Sequence, residues 1–175
     1  MAAKTPQHAV ENFLAPIRQA VSCITHSIVI SGFDPISSKP HVLTINNGDP
    51  VKLTSTPTLY LTVQMQYRVV EGKDERGSWK VTTSGYNYSV QDRLEKELFA
   101  YHWHPWVKPC YAHLHVCQAS GVNLLRKIHL PTSGIAIEDV LELLIEEFKV
   151  KPIRQDWNKT LRKTKAAYEK FRTWA

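Results

Sequence analysis

No run of the sequence is apolar for long enough to cross a bilayer, because each is broken by polar residues or charge. Residues Met1 to Gln7 lack the apolar core of an export signal, so a cytoplasmic setting is expected. Only three cysteines occur, Cys23, Cys110 and Cys117, an odd number with no zinc-ribbon spacing. That argues against a disulfide framework and for reduced thiols. The few glycines build no phosphate-cradling loop, Gly121 and Gly134 included, and no Gly-x-Ser-x-Gly or His-Glu-x-x-His motif is present. Repeats and low-complexity tracts are absent too. What remains is an ordinary globular composition, 43% apolar and 22% charged over 175 residues, expected to fold as a single domain spanning 1–175.

The positive charge is unevenly placed. Of the formal net charge of +6, residues 149–175 contribute nine Lys and Arg against Asp156 and Glu169, so the rest of the chain is close to neutral. A basic segment of this kind suits an anionic partner, RNA first, or else a solvated helix face.

Hydropathy periods divide the chain into three parts. Val10, Phe13, Leu14, Ile17 and Val21 predict an amphipathic helix over 8–22, with Pro16 expected to kink it or split it in two. Short strands are expected at 26–33 and 40–46. A long strand over 58–70 alternates Leu59, Leu61, Val63, Met65 and Tyr67 with polar residues. Its hairpin partner over 78–90 changes parity between Trp79 and Tyr86, which predicts a bulge near Gly85. Strands over 97–104, 111–118 and 123–130 follow. Ile137, Val140, Leu141, Leu144 and Phe148 then mark a helix capped by Thr132 or Ser133, with the acidic set Glu138, Asp139, Glu142, Glu146 and Glu147 expected on its solvated face. A basic C-terminal helix over about 153–172 is expected to bury Ile153, Trp157, Leu161, Tyr168 and Phe171. The fold class predicted is α+β, an antiparallel β-sheet with an N-terminal helix and two C-terminal helices.

Four of the eight histidines fall in residues 101–116, as His102-Trp103-His104 and His113-Leu114-His115, and His129 follows. Strand parity puts residues two apart on one face. His102 and His104 then oppose Phe99, Tyr101 and Trp103, and His113 and His115 oppose Ala112, Leu114 and Val116. A hairpin around Pro105–Pro109 would pair the two His-x-His units, with His129 joining from the next strand. Three readings compete for such a surface. It is a metal site for zinc or a similar ion, a pair of acid–base catalysts for a phosphodiester, or imidazoles packed into a sheet. His8, His26 and His41 stand alone and read as structural or exposed.

Tyr101-His102-Trp103-His104-Pro105, His113-Leu114-His115-Val116, His129-Leu130-Pro131-Thr132 and Ile137-Glu138-Asp139-Val140-Leu141 through Phe148 resemble, in that order, a family of uncharacterised bacterial proteins. Trp157 and the closing Arg172-Thr173-Trp174 fit the same pattern. The family continues His-Leu-Pro-Thr with Gly-Arg, whereas Ser133-Gly134 follows here. More loosely, a histidine-rich hairpin followed by an acidic helix is similar to toxin components of bacterial toxin–antitoxin modules, which implies an antitoxin-like partner protein. The functional expectation is therefore an RNA-directed protein working as a metal-independent histidine ribonuclease. Its acid–base residues would be His102, His104, His113, His115 and His129. Arg126, Lys127, Lys159, Arg162 and Lys163 would contact nucleic acid, and neither metal nor cofactor is invoked. The alternatives are a non-enzymatic interaction or nucleic-acid-binding protein and, third, a metal-dependent hydrolase.

Overall fold

Alternation along the strands decides which side of the sheet each residue serves. The computed structural model describes residues 3–35, 37, 39–72, 78–116 and 128–171. It contains α1 (Pro6–Val21), β1 (Val29–Ser31), β2 (His41–Ile45), β3 (Val51–Lys52), β4 (Tyr60–Glu71), β5 (Trp79–Gln91), β6 (Glu97–Trp103), β7 (His113–Val116), β8 (His129–Pro131), α2 (Ile137–Glu146) and α3 (Trp157–Phe171). The strands form one antiparallel sheet in the order β1-β2-β4-β5-β6-β7-β8, with β3 also on β4. The expected α+β class and its helix–sheet–helices order are both present.

One face of this sheet carries Leu61, Val63, Met65, Tyr67, Tyr86, Tyr88, Val90, Phe99 and Trp103. It packs against Leu14, Ile17 and Val21 of α1, Val140, Leu141 and Leu144 of α2 and Leu161 of α3. Burying each such aliphatic or aromatic side chain contributes about 1.5–3 kcal/mol, so this layer supplies most of the stability. All three helices therefore sit on the same side, and the other face of β4 to β8 is left to polar residues.

Two bulges set the phase of that alternation. Pairing passes from Gln66↔Gly85 to Tyr67↔Thr83, leaving Ser84 unopposed. This is the expected slip, one residue before Gly85, and it lets Trp79–Val81 and Tyr86–Val90 both use one face. Between β5 and β6 pairing passes from Val90↔Phe99 to Gln91↔Glu97, leaving Leu98 unopposed. Because directly paired residues share a face, Glu97 is turned to the polar side with Gln91 and Ser89.

The structure departs from expectation at several helix details. α1 runs as one helix through Pro16 instead of as two shorter ones. The Thr5 hydroxyl caps it by accepting the His8 N–H at 3.2 Å. Packing of Val10, Leu14, Ile17 and Val21 outweighs the proline penalty of about 3 kcal/mol. The N-cap of α2 is Ala136, not Thr132 or Ser133. Ala136 itself is extended, and the Asp139 carboxylate accepts its N–H at 3.0 Å in place of a side-chain cap. α3 begins at Trp157, and Ile153, expected to be buried, is 44% exposed before the helix starts. Its N–H is spent on the Cys23 carbonyl at 2.8 Å, outside any helical ladder. Glu138, expected on a solvated face, is only 2% exposed between α2 and the Thr164 and Lys165 turn of α3. No helix among the described residues is long and apolar enough to cross a membrane.

Candidate functional site

The open face gathers all five expected histidines. β6 and β7 pair with His102 directly opposite His113, and β7 and β8 pair with His115 opposite His129. His104 follows β6 on the same parity. Ring centroids lie 5.4 Å apart for His102–His104, 5.5 Å for His102–His113 and 6.0 Å for His102–His115. His129 closes the set at 4.7 Å from His113 and 5.3 Å, nearly parallel, from His115. The imidazoles thus form one contiguous surface, and α2 lies on the other side of the sheet, where Phe148 meets Phe99.

Polar partners fix two of these rings. His113, 3% exposed, places Nδ1 at 2.9 Å from the Tyr111 carbonyl. A carbonyl can only accept, so Nδ1 carries the proton and the neutral ring keeps its lone pair on Nε2. His115 Nδ1 lies 3.9 Å from Glu97 Oε1, and Glu97 in turn accepts the Ser89 hydroxyl at 2.5 Å. The bulge at Leu98 is what brings this carboxylate to the imidazoles, within ion-pair distance of His115.

Burial holds much of the surface neutral. It pushes His102 down to about 4, against the upward pull of Glu97 and with a further push down from His104, His113 and His115. Burial and the neighbouring His113 lower His104, and burial with His113 and His115 lowers His129. His102 Nε2 is buried with no hydrogen-bond partner among the described residues, as is Oδ1 of Asn87, the residue paired with it on β5. An orphaned buried polar atom costs about 1–3 kcal/mol, the usual mark of a surface shaped for something other than stability.

Aromatic rings border the imidazoles. Trp106, 55% exposed, has its ring centroid 6.5 Å from that of His104. Its indole lies on Gly85, where a Cβ would come within 2.9 Å of the ring. Tyr111, 47% exposed, stands 5.9 Å from His113.

The basic candidates separate from this site. Lys159, Arg162 and Lys163 are exposed on α3, in the layer on the far side of the sheet. Arg126 and Lys127 lie outside the described residues. His41 is a core histidine packed between Phe33 and Tyr67, as its isolation suggested. Sequence reasoning missed Glu97, Asn87, Gly85, Trp106 and Tyr111. The alternation places Asn87 beside the histidines once the hairpins are paired, but Glu97 is found only through the bulge. Among the described residues no three His, Cys, Asp or Glu side chains are grouped so as to hold a metal ion. No family model, curated protein or solved structure matches the chain.

Proposed function

We propose that the imidazole face cleaves RNA by metal-independent acid–base catalysis. The observation that carries this reading is the fixed tautomer of His113 within a contiguous set of five imidazoles. His113 Nε2 takes the proton of a 2′-hydroxyl, whose oxygen attacks the adjacent phosphorus. The bond from phosphorus to the 5′-oxygen breaks as protonated His115 gives that oxygen its proton. The products are a 2′,3′-cyclic phosphate and a free 5′-hydroxyl, and the two histidines have exchanged protonation states. Residues two apart on a strand are separated by about 7 Å, enough to flank a phosphate. Imidazole suits both roles because its ordinary value is near 6.5.

In the toxin-like role this activity belongs to the cytoplasm, and a partner protein covering the face would restrain it. The experiment is cleavage of a mixed RNA pool with and without chelator. Cleavage that persists in chelator and is lost in both His113→Asn and His115→Ala supports the reading. RNA left intact at high protein concentration sinks it. If RNA is then bound but unbroken, the same face is a binding surface.

A further inference from the structure

Resting on the RNA reading of this site, we infer that the face selects single-stranded RNA by stacking a base on Trp106 beside the imidazoles and leading the strand toward Arg68 and Lys80. Four observations converge on this. The six-membered ring of the indole rests against Gly85, whose missing side chain permits the approach, yet more than half of the residue faces solvent. A ring held by the sheet and more than half bare is a ready platform for a nucleobase, and stacking tolerates every base. Its seat adjoins His104, so a base on the indole lies one nucleotide from the imidazoles. Tyr111, also exposed, borders His113 and offers a second platform.

The face beyond Trp106 has the charge a polyanion needs. Following β5 away from the site past Gly85, the next open-face positions are Thr82, paired with Arg68, and Lys80, paired with Val70. Arg68 is exposed. Three residues of strand separate Gly85 from Thr82, about 10 Å, which is on the order of one to two nucleotides of extended strand. Lys108 is exposed in the same loop as Trp106 and adds charge at the platform itself. A duplex hides its base faces in its own stack and presents only edges and phosphates. The platform is therefore useful only to an unpaired strand.

The test uses an oligonucleotide with 2′-O-methyl groups throughout, which lacks the attacking hydroxyl and so binds without being cut. The single strand should bind at least about tenfold more tightly than its duplex. Trp106→Ala should lose roughly five- to a hundredfold in affinity, the worth of one stacked base, while Trp106→Phe keeps most of it. Arg68→Gln with Lys80→Gln should weaken binding and flatten its salt dependence. Circular dichroism checks that the variants fold, as the exposed loop position predicts. Equal binding of single strand and duplex, or an unaltered affinity in Trp106→Ala, overturns the inference. The two readings fail separately. Tight, Trp106-dependent binding with no cleavage of ordinary RNA removes the nuclease and leaves the platform. Cleavage indifferent to Trp106 and to strandedness removes the platform and leaves the nuclease.

Discussion

The two faces of this sheet are made from the same strands, residue by residue in alternation, and both are lined with rings. On the helix-covered face Tyr86 and Tyr88 stack at 4.7 Å with planes 3° apart, and Trp103 adjoins Tyr86. On the open face five imidazoles and an indole lie at similar spacings. The difference lies in what the rings carry. Tyrosine and tryptophan bury large apolar area and lower the free energy of the fold. Imidazoles in contact gain little from burial, hold His102 neutral and leave its Nε2 without a partner among the described residues. One face is organised for stability, and the other gathers imidazoles that add little to it.

The contrast is broken most forcefully by exchanging the roles. His113→Asn keeps a side-chain N–H for the Tyr111 carbonyl but removes the base. RNA cleavage should fall about 10²- to 10⁴-fold, with the melting temperature nearly unchanged. A normal rate would remove His113 from the chemistry. On the covered face, Leu141→Ala should cost about 2–5 kcal/mol by denaturant unfolding. The cleavage rate per folded molecule should stay the same. A cost below about 1 kcal/mol would mean that the helix layer is not the main support.

The next effect is smaller and opposite in sign on the two faces. His102, held near 4 when folded against 6.5 when free, stays neutral while the unfolded chain gains a proton. Its contribution is present above pH 6.5 and is lost as pH falls toward 4, on the order of 1 kcal/mol after discounting for the ring's partial exposure. Glu138 is displaced upward by burial, with its own backbone amide and the Thr164 hydroxyl pulling back. Its protonated form is favoured in the fold, so its contribution is full below 4.5 and is lost as pH rises through the displaced value. His102→Gln should flatten the acid limb of a stability–pH curve. Glu138→Gln should stabilise the protein more at pH 8 than at pH 4. Parallel slopes in both variants would contradict the assignment. Smallest of all is the triple change Lys159→Gln, Arg162→Gln and Lys163→Gln. It alters a layer remote from the imidazoles and should leave the cleavage rate within about twofold, lowering only the salt sensitivity of RNA association.

Much of this architecture was legible because alternation and helical period are local. The Leu61–Tyr67 series placed β4, the parity change around Trp79 and Tyr86 announced the bulge at Ser84, and strand parity put the five histidines on one surface. What escaped depends on partners distant in sequence. Glu97 has the parity of Phe99 on paper and reaches His115 only because Leu98 drops out of register. Glu138 reads as surface because it neighbours Asp139 and Glu142, and only the approach of α3 buries it. Trp106 sits in a proline-flanked loop with no period to read, and its seat is a glycine twenty-one positions earlier. The start of α2 failed for a related reason, since the helix follows Ala136, where packing permits, and not Thr132 or Ser133.

The unopposed residues Ser84 and Leu98 have a consequence for inheritance. Each is the extra residue of its bulge, so deleting Ser84 would leave Gln66↔Gly85 and Tyr67↔Thr83 in ordinary alternation, and deleting Leu98 would do the same for Val90↔Phe99 and Gln91↔Glu97. A codon lost at either position therefore leaves each side chain on its own surface, whereas one gained or lost elsewhere in β5 or β6 shifts the alternation by one residue and exchanges what is kept inside for what is offered outside.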